Sequence, residues 1–474
     1  MWFRTLCVPY LPAEARPMHD DKESPFNLTL LKGDLQLQVL QFSGQEVLNQ
    51  PYRFEIEVIA PAPAVNLGLL LHQEVFFELG NGNGIHGVIQ CATAEYLGPH
   101  RVGYTVTVVP LLQSLQRCSN RRVFHHLSVP DILLQLLKNH ELPDSSYRLE
   151  LMGQYPSRPF CIQYEETDLE LFQRLCEDEG IHFHFEHSRK EHVLVLADDL
   201  LSLPQEPVMM AFRPDVDDPS ELPKLSQLYQ RHHSRPSLVR PGARDRSTAT
   251  RADNAANLVF SSTTATPTKA HEAQRSLRQL ERLRCTSRQI HGQSNHSALC
   301  SARVVQVSEH PVPDFNDQWL LTGLRHRGCQ ASILAQDSGV SEYCNEFTAI
   351  PWSTVFRAPL LQPRPIIAGY QPARVVGQPG QPATLDDRGR MLVWLWPSAH
   401  SDPDESCAAP VPIAYAVPGR CIDPGTLPAA GSEVLISFLD GNPERPVFCA
   451  PAVQLLPSSP GTNTGLLLDW LVER

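Results

Sequence analysis

The stretch Thr167-Asp-Leu-Glu-Leu-Phe-Gln-Arg-Leu-Cys-Glu-Asp-Glu-Gly180-Ile-His-Phe-His-Phe-Glu-His187 decides how the chain is read. Thr167 and Glu170 stand three apart, the spacing at which a hydroxyl and a carboxylate each satisfy the other's backbone amide at a helix start. Leu169, Phe172 and Cys176 then fall on one helical stripe, and Gly180 stands where a left-handed residue ends a helix. From Ile181 the period drops to two. Ile181, Phe183 and Phe185 alternate with His182, His184 and Glu186, and Val193 to Leu196 supplies the return strand of a hairpin beside which the helix packs.

Upstream the period is again two. Leu35, Leu37 and Val39 alternate with Gln36 and Gln38, and Phe54, Ile56 and Val58 with Glu55 and Glu57, so each strand has one wet face. Residues 75 to 109 continue the pattern and end in the β-branched run Tyr104-Thr-Val-Thr-Val-Val109, which suits a pleated sheet. Ser128 and Asp131 open a helix whose Ile132, Leu133, Leu136 and Leu137 repeat at helical spacing, and Pro143 stops it.

Downstream, a polar, proline-broken stretch from 200 to 261 precedes a third helix with Pro267 in its first turn and an apolar stripe of Ala270, Ala273, Leu277 and Leu280. Strands resume at Ala302 to Val307 and Trp319 to Leu324. Pro359, Pro363, Pro365 and Pro372 mark a stiff linker. Beyond it Ala373-Arg-Val-Val376, Met391 to Trp396, Glu433 to Leu439 and Val447, with turns at Asp387-Arg-Gly-Arg390 and Asp440-Gly-Asn-Pro443, read as about five short strands of a small barrel. The expected fold class is mainly β with a few helices, α+β. The expected organisation is a flexible leader over 1–25, a first domain in two parts over 26–200 and 201–365, a barrel over 366–455 and a short tail over 456–474.

Composition agrees with many short strands. The 474 residues include 42 Pro and 26 Gly, which favour turns over long helices. A net charge of −12 argues against a nucleic-acid partner. The run Arg231, Arg235, Arg240, Arg244, Arg246 and Arg251, continued on the third helix by Arg275, Arg278, Arg282 and Arg284, reads as a solvated or subunit-contacting face rather than a phosphate site. No apolar run approaches the roughly 18 residues of a membrane helix, and the first 18 residues lack the apolar core of a signal peptide. The expectation is a protein made in the cytoplasm, without Sec export or stable membrane insertion. Twelve scattered cysteines with no C-x-x-C pair suit reduced, mostly buried thiols.

No constellation for catalysis emerges. Gly82, Gly84 and Gly87 match a dinucleotide fingerprint formally, but Val88-Ile-Gln follows as a strand instead of a helix, so the glycines read as a hairpin turn. His182, His184, His187 and His192 make the sharpest metal hypothesis, since alternate strand residues share a face. Against it, no cysteine or carboxylate stands at a familiar spacing from them. Glu165 and Glu166 point to opposite faces if extended, cannot flank one bond, and read as solvent and cap residues. The pairs His125-His126 and His232-His233 read as surface imidazoles. No catalytic, cofactor or metal residue is assigned.

Three segments carry a family resemblance: Ser128-Val-Pro-Asp-Ile132, Tyr155-Pro-Ser-Arg-Pro-Phe-Cys-Ile-Gln-Tyr-Glu-Glu-Thr-Asp-Leu169 and Glu177-Asp-Glu-Gly-Ile-His-Phe-His-Phe-Glu-His187. With Gln371-Pro-Ala-Arg-Val-Val-Gly377, Asp386-Asp-Arg-Gly-Arg390 and Phe438-Leu-Asp-Gly-Asn-Pro-Glu-Arg-Pro-Val447, the chain resembles the valine-glycine repeat protein G (VgrG) family over about Phe26 to Ala450. The resemblance implies a phage-like baseplate hub followed by an oligonucleotide/oligosaccharide-binding (OB) barrel at the spike base. Between Cys407 and Gly431 the family's usual Trp- and Arg-containing strand gives way to Pro410-Val-Pro-Ile-Ala-Tyr-Ala-Val-Pro-Gly419. The family's long β-prism needle is not expected in the 19 residues from Leu456 to Arg474.

The function this implies is a non-enzymatic spike and hub of a type VI secretion apparatus, a homotrimer that caps the inner tube. Its implied partners are an Hcp-like inner-tube protein, baseplate proteins, and a PAAR-type tip protein or effector, with no cofactor. The implied location is cytoplasmic before firing and secreted through the apparatus afterwards. A phage-type tail hub or late-control protein is the alternative, and a tail-associated cell-wall hydrolase stands third. The apolar Gly465-Leu-Leu-Leu-Asp-Trp-Leu-Val472 is a further candidate docking segment.

Overall fold

The architecture comes from a computed structural model that describes residues 26–33, 35–61, 66–80, 82–98, 100–214, 223–230, 269–330, 342–397, 408–414 and 427–449. The leader, the tail with its docking segment, Arg231 to Arg251, His232-His233 and Pro267 lie outside these residues.

Six strands form first: β1 (Asn27–Leu30), β2 (Leu35–Val47), β3 (Arg53–Pro61), β4 (Glu74–Gly80), β5 (Asn83–Gly98) and β6 (Arg101–Val109), with a one-turn helix α1 (Leu67–Leu70) before β4. The alternation in the sequence is a burial alternation, with Leu37, Val39, Phe54, Ile56 and Val58 buried and Leu35 left exposed at its strand's start. Because β1 pairs with both β2 and β4, the order β1-β4-β5-β6-β3-β2 closes into a ring with no free edge.

Next come β7 (Ser119–Leu127), α2 (Val129–Asn139), β8 (Tyr147–Glu150), β9 (Arg158–Thr167), α3 (Asp168–Glu179), β10 (His182–His187) and β11 (His192–Ala197). Both expected capping boxes are present, Ser128 with Asp131 and Thr167 with Glu170. Gly180 closes α3 in the left-handed region at φ +70°, which a side chain disfavours. α3 is buried well beyond its apolar stripe, its charged Asp168, Arg174, Glu177 and Glu179 included. A single core joins the strand ring to α2, α3 and the β10–β11 hairpin.

The elements that follow before the barrel are β12 (Val208–Ala211), β13 (Leu225–Gln230), α4 (Lys269–Cys285), β14 (Ile290–Ser294), β15 (Val304–Ser308), β16 (Gln318–Cys329) and β17 (Glu342–Pro351). β16 pairs with β17 along its length and with β2 over Gly323 to Cys329, so one twelve-stranded sheet draws on chain from both sides of residue 200. α4 forms as expected but is seated in the opposite sense. Leu277 and Leu280 of its apolar stripe are 51% and 53% exposed, while Arg278 is buried. The inward ion pairs of this helix outweigh its leucines, which corrects the reading of Arg278 as part of a solvated face.

The last five strands, β18 (Tyr370–Val375), β19 (Arg390–Leu395), β20 (Ala409–Ala414), β21 (Glu433–Phe438) and β22 (Pro446–Cys449), close a barrel in the order β18-β19-β20-β22-β21. β20 and β22 are parallel and the other pairs antiparallel, the Greek-key arrangement expected of an OB barrel. The proline stretch supplies β20 through Pro410 to Ala414. Pro410 and Pro412 are two apart, so both missing N–H groups fall on one edge of that strand. The fold class is mainly β with few helices, as expected.

Candidate functional site

One helix gathers four buried charges, Asp168, Arg174, Glu177 and Glu179. On α3, Glu179 accepts from Arg158 of β9 at 2.6 Å on one oxygen and from Arg278 of α4 at 2.8 Å on the other. Glu177 accepts the backbone N–H groups of Leu361 and Gln362 at 2.9 and 3.0 Å. Asp178 meets Arg364 at 2.9 Å. From α4, Arg282 donates to the carbonyls of Ala358 and Glu177 at 2.8 and 2.6 Å. Arg357 donates to Glu281 at 2.8 Å and to the carbonyls of Gly180 and Asp198 at 3.1 and 2.6 Å. The clamp therefore ties β9, α3, α4 and the connector 357–364 into one body. Burial outweighs the hydrogen bonds at Glu177 and raises its carboxyl above the usual range. At Asp168 burial is outweighed by hydrogen bonds from Gln163, His140 and Asn120, and the carboxyl is lowered.

The barrel joins this body through β9. Phe160 and Ile162 are part of the barrel core, with Tyr164 packed against it and its ring 5.6 Å from that of Trp396. Arg158, already held by Glu179, also reaches Glu444 of the barrel at 3.9 Å. A cleft of about 340 Å³ opens on the seam, lined by His126, Ser157 and Pro159 on one side and Asp386, Arg388 and Arg390 on the other.

The histidines lie elsewhere and split into two groups. His182 and His184 are buried with rings 6.4 Å apart. His187 sits opposite His192 at the turn end of the hairpin. There His192 Nε2 accepts from the Leu111 N–H at 3.1 Å, which places the ring proton on Nδ1, facing His86 Nδ1 at 2.9 Å. His187 Nδ1 accepts the His86 N–H at 3.3 Å. The arrangement requires neutral rings, and burial lowers the pKa of His182 to about 3, of His184 and His187 to about 4 and of His192 to about 2. Among the described residues no three His, Cys, Asp or Glu side chains converge as metal ligands. Strand alternation divides the four, with His182 and His184 on one face of β10 and His187 on the other, beside His192.

The remaining sequence candidates resolve as follows. Gly82 is in the β4–β5 turn at φ +76°, but Gly84 and Gly87 lie within β5. A Cβ on Gly84 would stand 2.4 Å from the Phe77 carbonyl oxygen, so close strand packing accounts for it. Glu165 is exposed and pairs with Arg121, whereas Glu166 is buried and held by Arg174 at 2.9 and 2.5 Å. The reading of Glu166 as a solvent or cap residue is corrected: the turn at Glu165, φ +51°, delivers it inward. His125 is half-buried and His126 exposed. The nine described cysteines are free, with three buried and four exposed, so fewer are buried than expected. Among the described residues no helix is long and apolar enough to cross a membrane. Sequence reasoning missed the clamp, because the partners of Glu179 lie 21 and 99 residues away and no local period links them.

Comparison with known proteins supplies the remaining observations. The profile of the phage tail baseplate hub (GPD) family matches residues 45–332. The type VI secretion system spike protein VgrG4b of Pseudomonas aeruginosa is 33% identical over 456 residues, covering 90% of this chain and 55% of that protein. VgrG5 of the same organism is 34% identical over 439 residues, covering 86% and 55%. The chain thus spans about half the length of the curated relatives it matches. Among solved structures, an E. coli type VI secretion component described as structurally similar to the T4 bacteriophage tail proteins gp27 and gp5 superposes with a TM-score of 0.66. It is 23% identical and covers 87% of this chain and 96% of its own, a likeness of fold.

Proposed function

Since the chain belongs to the phage tail baseplate hub (GPD) family, we propose that it serves as the hub and spike base of a type VI secretion apparatus. The observation that carries this reading is the seam between hub and barrel. Domains within one chain ordinarily meet on modest polar interfaces and move relative to one another. Here Phe160 and Ile162 enter the barrel core, and the same strand is bolted to α3 by the ion pair of half-buried Arg158 with buried Glu179. A part that transmits axial thrust needs such a junction. Its work comes from buried area and ion pairs, and no reactive group is required.

In this role three copies surround one axis, the hub sheets rest on an Hcp-like inner-tube protein and on baseplate proteins, and the barrel faces a PAAR-type tip protein or effector. The protein stays in the cytoplasm until the sheath contracts and leaves with the tube. The names of the two Pseudomonas relatives support this assignment. The second reading, a phage-type tail hub, is favoured by the name of the matching family and differs in its partners. Export separates the two. The chain is expected in the culture supernatant of a sheath-competent strain and not in that of a sheath-defective one, and release unchanged by loss of the sheath would overturn the secretion reading.

A further inference from the structure

Helix α4 faces its neighbours with its charges and solvent with its leucines. Arg278, Arg282, Glu281 and Cys285 are turned to the protein, while Leu277, Leu280 and Leu283 are 51%, 53% and 40% exposed. The three leucines recur every three residues and form one stripe along a 17-residue helix. Exposed Arg275 and Arg284 flank them, and among the described residues neither has an ion-pair partner. The helix carries five basic and two acidic side chains in a chain of net charge −12, so the rest of the chain is more acidic still.

We propose that this face is the contact between neighbouring copies of the chain, with Leu277, Leu280 and Leu283 packed into an acidic-rimmed apolar patch on the next protomer. The proposal rests on the hub reading and names the surface that assembles it. Charge selects the geometry. Two copies of this face brought together by a twofold axis would set Arg275 and Arg284 against their own counterparts, whereas a head-to-tail contact places them on an acidic surface. Head-to-tail contacts that close make rings, and a hub around a tube is a ring. Three half-exposed leucines supply the apolar centre of a patch whose usual size is about 800 Å² per partner, the polar remainder forming its rim.

The test uses the full chain with the photo-cross-linking residue benzoylphenylalanine at position 280, beside a variant carrying Leu277→Gln, Leu280→Gln and Leu283→Gln. Glutamine retains helix propensity, so the variant keeps its circular dichroism. The expected results are cross-links between protomers and a rise of at least about tenfold in the concentration at which the assembly half-dissociates. Cross-links found only within one chain, to residues 231–268 or 450–474, would mean that the protein covers its own helix and would overturn the proposal. So would a variant that assembles as the parent does. In either case the hub reading stands, whereas a parent that is monomeric at every concentration overturns both.

Discussion

His182, His184, His187 and His192 are kept neutral by burial, against a pKa of about 6.5 in the unfolded chain. Between pH 6.5 and about 4 the unfolded chain binds protons that the folded one does not. Their contribution is therefore complete above pH 6.5 and is lost as pH falls, by up to about 1.4 kcal/mol per pH unit for each ring. Glu166 and Glu177, raised by burial, act in the opposite direction and are fewer. The urea midpoint is expected to drop between pH 7 and pH 5, and a flat profile would show that the rings are not held neutral. Glu179→Gln is a second test at this scale, since it leaves Arg158 and Arg278 without their buried counter-charge. A loss of about 3–5 kcal/mol is expected in the same assay, and a loss below about 1 kcal/mol would assign the hold on α4 to other contacts. None of this pairing is legible in the sequence, where Glu177-Asp-Glu179 reads as an ordinary acidic helix end.

At the scale of elements, three cross-strand pairs set a phenylalanine ring over a glycine: Gly44 opposite Phe54, Gly292 opposite Phe347 and Gly328 opposite Phe42. A Cβ on Gly44 would stand 2.1 Å from the Phe54 ring, so Gly44→Ala is expected to cost about 1–3 kcal/mol by overpacking. Phe54→Leu added to it should recover part of that loss, and additive losses would show that the ring contact is not the cause. The helices show what sequence reaches and what it does not. Ser128 with Asp131 and Thr167 with Glu170 announce their caps because both partners lie within one turn. The stripe of Leu277 and Leu280 announces helix α4 but not its orientation. That is decided by Glu179 and by the Ala358 carbonyl, both remote in sequence.

Across the whole molecule, the seam through β9 makes hub and barrel one mechanical unit. Phe160→Ala removes a ring shared with the barrel core and is expected to cost about 3–5 kcal/mol and to speed proteolysis in the connector around Leu360 and Leu361. Unchanged cleavage would mean that the barrel is held without it. The barrel itself was legible from its turns, and the proline stretch closes it, because Pro410 and Pro412 fit a strand that lacks N–H groups on one edge. The crossing of β2 onto β16 was not legible, since pairing partners about 280 residues apart leave no local trace. The central claim, a hub built from three chains, is tested most directly by the native mass of the purified chain, measured by light scattering coupled to gel filtration. The account requires a mass near 159 kDa, three times 53.0 kDa, persisting at micromolar concentration, and a single species at 53.0 kDa would contradict it.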